Sequence, residues 1–299
     1  MESDMPPSKE KHGNIEIKHK SAHTYIPGSV NELLQVYADH PGAVISAGGT
    51  YLYSTVFSES LPSPLNIISL KNIDELRRIT RSERYLEVGA CAPINSIVSI
   101  SKKLLPGPLY DVLFGIATPT VRNMATLGGN LCVPGKRMDS ASILSLLEAR
   151  LEIRSSTKSS WIPISRFFND DGSVSLGKGE VLTRIRIPLD DWNIGIYKKY
   201  GFYPFQGMEY LSFCGIAKEQ RNILSDFRVA FSAGGPKILR NREIEAQLNG
   251  RRLPLMEKGR LPSLAAFQEI LEETPYISPF LSARAFRLFR SFLTMLGQE

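Results

Sequence analysis

The sequence predicts an α+β fold in two parts, and three observations carry that expectation. Up to about residue 189, helical patterns alternate with short apolar strands and two glycine-pair loops. Beyond Asp190 to Asn193 the apolar residues recur at every second position over three consecutive segments, as antiparallel strands require. From Asn241 onward the pattern is mostly helical. A chain of 299 residues can bury a sizeable core and usually forms two domains or one large one. The division is expected at Asp190 to Asn193, because Pro188 closes one strand and the pattern turns antiparallel afterwards.

In chain order, the polar residues 1–18 are expected to form a flexible tail. Ser29-Val30-Asn31-Glu32 has capping-box spacing and opens an amphipathic helix through Leu33, Leu34, Val36 and Tyr37, ended by Pro41-Gly42. Ala43 to Ser46 reads as a short buried strand entering the first glycine loop, and Asn66 to Leu70 and Arg84 to Gly89 as further strands of a sheet interior. Ile94 to Leu105 and Leu109 to Ala117 read as two helices separated by Pro106-Gly107-Pro108. The stretch from Ala117 to Cys132, ATPTVRNMATLGGNLC, is expected to be an ordered loop, since it holds Pro119 and a glycine pair; Val121, Met124 and Leu127 would point into packing. A helix over Ser140 to Ala149 follows. Leu151 to Arg154, Val181 to Ile187, Gly195 to Tyr200, Leu211 to Lys218 and Ile223 to Ser232 then read as strands, interrupted by the polar, mobile-looking Asn169 to Lys178. Phe280 to Leu296 carries an apolar face suited to core packing rather than to a cofactor.

Two loops suggest chemistry. Gly48-Gly49, with Ser46 and Thr50, and Gly128-Gly129, with Thr126, put glycine pairs beside small hydroxyl residues. Glycine allows positive φ and lets an anion approach peptide N–H groups with no Cβ in the way, so two such loops could hold the two halves of a dinucleotide. Glycine alone favours the plainer reading, two tight turns. Arg122 suits either a strut fixing loop carbonyls or a direct phosphate ligand. Asp139 is placed to cap the following helix, or to accept a hydroxyl from a cofactor's ribose or ribityl chain.

Composition narrows the possibilities. Cys91, Cys132 and Cys214 lie far apart without a CxxC pair, so the sequence encodes neither a disulfide framework nor an iron–sulfur or zinc site. His12, His19, His23 and His40 all precede the loops, which argues against a Ser/His/Asp triad or a histidine metal site. Redox chemistry here would need an organic cofactor. The net charge of +6 is scattered, and no aromatic residues interleave with the basic segments near Arg240 and Arg251, which argues against nucleic-acid binding. No secretory signal and no apolar run of membrane-spanning length is visible, so a cytoplasmic location is expected.

At ATPTVRNMATLGGNL the chain resembles the FAD-binding medium subunit of the molybdenum hydroxylases, the xanthine dehydrogenase and carbon monoxide dehydrogenase flavoprotein family, whose form is close to ASPQVRNVATIGGNL. The resemblance extends to AGGTYL at Ala47 to Leu52, against AGGTDL; to Asn66 to Leu70; to LEVGACAPINSI; to Phe231 to Pro236 followed by Arg240; and to Ser282 to Arg287. It spans roughly residues 19 to 297. It implies a two-subdomain FAD-binding α/β domain of the PCMH type over residues 19–189, followed over 193–299 by a C-terminal domain of a three-stranded antiparallel sheet plus helices.

By the same resemblance, Ser46, Ala47, Gly48, Gly49, Thr50 and Tyr51 would wrap the FAD pyrophosphate through backbone N–H groups, with Thr126, Gly128, Gly129 and Asn130 opposite. Ile116 and Ala117 would line the cleft, Asp139 would hold a polar group of the FAD chain, and Lys199 would face the flavin. Tyr51 replaces an acidic residue of the family, VPGKRM at Val133 to Met138 adds two positive charges beside Asp139, and GFYPFQGMEYL at Gly201 to Leu211 lacks the family's paired arginines and aspartate. The expected role is an electron-transfer subunit with no catalytic residue and no metal ligand of its own. The molybdenum cofactor and the [2Fe-2S] clusters would sit on a large and a small partner subunit, and FAD would pass electrons to NAD+ or another acceptor. The alternatives are a stand-alone flavin oxidoreductase of the same fold and a flavin-free assembly scaffold.

Overall fold

The computed structural model describes residues 23–57, 66–100, 102–201 and 210–297. The tail expected at 1–18, with His12 and His19, and residues 202–209 of the segment that departs from the family pattern lie outside the described residues. The chain begins with β1 (His23–Tyr25), α1 (Val30–Asp39), β2 (Val44–Ser46), α2 (Thr50–Phe57) and β3 (Asn66–Ser69), whose strands form a parallel sheet in the order β1-β3-β2. Parallel strands need a crossover: α1 leads from β1 to β2 on the far side of β3, and α2 lies between β2 and its neighbour β3. Ser29 Oγ accepts from Glu32 N at 3.2 Å, while Glu32 Oε2 accepts from Gly28 N at 2.7 Å, so the reciprocal bond of the capping box is shifted one residue outward. Val30, Leu33 and Leu34 of α1 pack with Ile68, Leu70, Ile73 and Leu76.

β4 (Ile79–Arg81) and β5 (Tyr85–Gly89) lead into five helices, α3 (Ile94–Val98), α4 (Gly107–Gly115), α5 (Pro119–Met124), α6 (Leu127–Leu131) and α7 (Asp139–Leu146). The chain returns through β6 (Arg150–Arg154), β7 (Ser159–Pro163) and β8 (Val181–Pro188) to complete an antiparallel sheet in the order β4-β5-β8-β6-β7. Side-chain alternation divides this sheet. Leu86, Val88, Leu151, Ile153, Ile185 and Ile187 enter one core with the helices, while the other face carries ion pairs such as Arg186–Glu87 at 2.6 Å and Arg184–Glu152 at 2.7 Å.

The third sheet, order β11-β10-β9, is antiparallel and consists of β9 (Ile194–Tyr200), β10 (Leu211–Gln220) and β11 (Ile223–Ser232). Both of its faces are buried. Cys214, Ile216 and Ala230 join the first core, whereas Phe213, Phe227 and Phe231 join a second core with α8 (Arg242–Leu248), α9 (Glu257–Glu272) and α10 (Pro279–Met295). There Phe267 stacks on Phe289 at 4.2 Å and Phe227 on Phe292 at 5.2 Å. Of the face expected on the last helix, Phe289, Phe292, Leu293 and Leu296 are buried, whereas Phe280 at its start is exposed.

Several local expectations are corrected. The helix expected over Ile94 to Leu105 stops at Val98. Pro106-Gly107-Pro108 does not separate helices; it starts one, with Pro106 as N-cap and Pro108 in the first turn, where a missing N–H costs nothing. The loop expected over Ala117 to Cys132 contains two short helices, because Thr118 and Thr126 cap α5 and α6 through Val121 N and Gly129 N. Met124, expected in packing, is exposed. The mobile-looking Asn169 to Lys178 is pinned by turn bonds such as Asn169 N to Ser173 O at 3.0 Å and Ser175 N to Phe167 O at 2.7 Å. The strands β1, β4 and β7, each at most five residues long, carry too little periodicity to be predicted.

Candidate functional site

The first glycine loop lies at the carboxyl end of β2, where open parallel sheets place their ligands. Ala47-Gly48-Gly49 connects Ser46 to the start of α2, with Gly49 at φ 69°. Gly48 explains itself by what it touches: a Cβ there would lie 1.8 Å from the Met124 carbonyl oxygen and 3.2 Å from Ala125 Cα. The two glycine loops, far apart in sequence, therefore meet backbone to backbone. The second is anchored from below by Ile94 N to Ala125 O at 2.9 Å and Leu127 N to Ala92 O at 3.2 Å, and Gly128 sits directly on Ala90.

Beside this contact the backbone turns sharply at Ile116-Ala117, with Ala117 at φ 46°, a region unfavourable to a residue with a Cβ. Arg122 holds the turn. Its Nη1 donates to Phe114 O at 2.8 Å, Ile116 O at 2.9 Å and Ala117 O at 2.8 Å, and the side chain is only 5% exposed. Of its two possible roles, strut and phosphate ligand, the geometry selects the strut. Ile116 itself is buried, whereas Ala117 to Thr120 are exposed; Ile116 can border a ligand chiefly through its backbone.

The second loop has less donor capacity than its glycines suggest. Gly128 N donates to Ala90 O at 2.9 Å, Gly129 N to Thr126 Oγ1 at 3.1 Å and Asn130 N to Thr126 O at 2.9 Å. Asn130 Oδ1 accepts from Ser140 Oγ at 2.5 Å, which fixes the amide plane. By contrast, Gly49 and Thr50 stand at the start of α2, where first-turn N–H groups have no intrahelical acceptor. The two loops therefore differ: the three N–H groups of Gly128, Gly129 and Asn130 are already used within the fold.

Asp139 does not cap its helix. Met138 occupies the N-cap position, and the Asp139 carboxylate, 4% exposed, turns toward the third sheet. Oδ2 accepts from Lys199 Nζ at 2.7 Å, and Oδ1 accepts from the hydroxyls of Tyr197, at 3.3 Å, and Tyr210. Tyr197 and Lys199 share one face of β9 by its two-residue period, and the exposed Lys198 lies on the other. The Tyr197 ring packs where Gly115 has no side chain, 2.9 Å from its would-be Cβ, which joins the cluster to the Ile116-Ala117 turn. The sequence reading missed both tyrosines: Tyr197 follows from the i, i+2 relation to Lys199, while nothing local marks Tyr210. Arg137, expected as a charge beside Asp139, is instead buried against the Phe168 ring at 4.1 Å and donates to Ser173 O at 3.2 Å.

Burial first, and then the charge of Asp139, hold the phenols of Tyr197 and Tyr210 well above their ordinary value of 10.0. Because the folded values are raised, this contribution to stability is complete below the unfolded value of about 10 and is lost progressively as pH rises from there through the raised folded values. A spectrophotometric titration should therefore show two tyrosines withholding their phenolate signal until the chain unfolds; free ionisation of every tyrosine in the folded chain near pH 10 would contradict the cluster. Replacing Arg122 with Met, which leaves three carbonyls without their shared donor, should lower the unfolding free energy in denaturant titrations by about 3 kcal/mol.

Among the described residues no helix is long and apolar enough to cross a membrane, and no group of three His, Cys, Asp or Glu side chains could hold a metal ion. Residues 18–190, more than half of the chain, match the sequence family described as the FAD binding domain in molybdopterin dehydrogenase. The xanthine dehydrogenase FAD-binding subunit of Escherichia coli O157:H7 is 28% identical over 263 residues, covering 86% of this chain and 87% of that one. The glyceraldehyde dehydrogenase medium chain of Sulfolobus acidocaldarius is 26% identical over 228 residues, 75% of this chain and 80% of its own. Among solved structures, quinoline 2-oxidoreductase from Pseudomonas putida 86 superposes with a TM-score of 0.77 at 23% identity, over 93% of this chain and 97% of that one, and carbon monoxide dehydrogenase from Hydrogenophaga pseudoflava with 0.78 at 22%, over 92% and 96%. These two likenesses establish the fold, and the family match over residues 18–190, in line with the two relatives, shows that the chain belongs to the FAD-binding subunits of the molybdenum hydroxylases, a family of oxidoreductases.

Proposed function

We propose that this chain binds FAD across the junction of its two glycine loops and serves as the electron-output subunit of a molybdenum hydroxylase. The observation that carries the reading is the contact of Gly48 with Met124 O, which joins two loops distant in sequence beside an exposed, Arg122-braced turn. The residues fit the cofactor. Ser46 to Tyr51 would wrap the pyrophosphate at the start of α2, where the partial positive charge favours an anion. Thr126, Gly128, Gly129 and Asn130 form the opposite wall, Ile116 and Ala117 border the cleft, and Asp139 and Lys199 bring a fixed carboxylate and a cation to it.

When bound, FAD would accept electrons singly from [2Fe-2S] clusters and release them in pairs. The chain's own residues bind, orient and bias charge. Lys199, 20% exposed at its side chain, supplies positive charge that favours an anionic reduced flavin. We place the FAD domain at residues 19–189 and a C-terminal domain at 193–299, so that Lys199 closes the site from the second. In this reading the molybdenum cofactor and the [2Fe-2S] clusters belong to a large and a small partner subunit, and the acceptor is NAD+ or another oxidant.

Titration of the flavin-free chain with FAD should give the structured visible spectrum of a bound oxidised flavin, bleached on anaerobic addition of NADH. Bound FAD that NADH leaves untouched would move the acceptor elsewhere, and no binding even at excess FAD would leave an assembly scaffold. Replacing Gly48 with Ala, whose Cβ would collide with Met124 O, should weaken FAD binding by at least about tenfold, or ~1.4 kcal/mol, with unchanged affinity counting against the junction as the site.

A further inference from the structure

The proposed site leaves unexplained why so much phenol is directed at one carboxylate. Asp139 Oδ1 accepts two tyrosine hydroxyls, one from β9 and one from the residue preceding β10, although a carboxylate on the end of α7 could be satisfied by Lys199 alone. Lysine is a compact charge on a flexible stem and would otherwise share itself between both oxygens. With Oδ1 filled from the other side, its ammonium is confined to Oδ2. The Tyr210 ring adds a second hold, its centroid 5.6 Å from Nζ. Lys198, on the opposite face of β9, cannot substitute.

We propose that Tyr210, assisted by Tyr197, is a positioning residue for Lys199, which keeps one of its three ammonium donors on Asp139 and leaves the others for the cleft. The consequence is a cation whose place is set before any ligand arrives, and an electrostatic field that needs no reorganisation when negative charge develops nearby. Tyr197 contributes by wedging its ring against Gly115, which transmits the position of β9 to the Ile116-Ala117 turn. Two elements thus aim one charge. The inference rests on the reading that Lys199 faces FAD, and its test separates the two.

The full chain carrying Tyr210→Phe is compared with wild type and with Lys199→Gln for affinity toward oxidised FAD, midpoint potential of the bound flavin and thermal midpoint of the flavin-free chain. Tyr210→Phe should bind oxidised FAD nearly as wild type but lose about tenfold of the preference for reduced over oxidised flavin, a potential lower by about 30 mV for a two-electron couple. Lys199→Gln should shift the potential in the same direction and further. A potential unchanged in Tyr210→Phe but shifted in Lys199→Gln would overturn the positioning role and spare the flavin reading. A potential unchanged in Lys199→Gln would remove the cation from the flavin and the inference with it. If Tyr210→Phe does not fold, Tyr197→Phe carries the same expectation with a smaller shift, and an unchanged potential there is equally decisive against it.

Discussion

The site depends on a carbonyl oxygen occupying the space where residue 48 would carry a side chain. The backbone of Gly48 rests against Met124 and Ala125, and any Cβ would intrude to 1.8 Å from Met124 O. That contact joins the parallel sheet of β1 to β3 to the helices above the five-stranded sheet, two units whose apolar clusters are otherwise largely separate. The site proposed for FAD is assigned to this approach, with the start of α2 and the turn that Arg122 braces as its neighbours.

A second constraint works at Asp139. Asp139 is among the most buried carboxylates of the chain, and a buried charge is tolerated only when it is paired and hydrogen-bonded. Its partners all come from the third sheet, so the carboxylate can be satisfied only if β9 and β10 dock against α7. The same docking buries Cys214, Ile216 and Ala230 in the first core. Apolar packing supplies the driving force and the polar cluster supplies the registration.

The outer charges differ in kind from these. Arg184–Glu152 and Arg186–Glu87 lie on the solvent side of the five-stranded sheet, and Arg240 clasps the buried Glu245 while donating to Ser145 O at 2.6 Å. Each of these guanidiniums has a carboxylate and a structural task. Arg122 and Arg137 are also consumed internally, by carbonyls and an aromatic ring. The proposed site draws its cation from Lys199, paired with Asp139.

Much of this was legible in the sequence. Period-two strands after Ile194, the capped first helix, the glycine pairs and the family resemblance are local properties, fixed by propensity, spacing and residue type. So was the strut role of Arg122 as one of two readings. The state of each donor was not legible: Gly128, Gly129 and Asn130 look like anion-binding N–H groups until the chain folds Ala90 and Thr126 against them. The helix over Ile94 to Leu105 ended early and the glycine stretch became helical because caps and tertiary contacts outweighed propensity. Asp139 was named as a cap because only its neighbours in sequence were visible, while Tyr197, Lys199 and Tyr210, which claim its oxygens, lie 58 to 71 residues away. The sequence alone determined which residue types could bind a dinucleotide; only the tertiary structure decided which of their hydrogen-bonding groups remain available, because each buried donor must be satisfied by whatever partner the fold brings nearest.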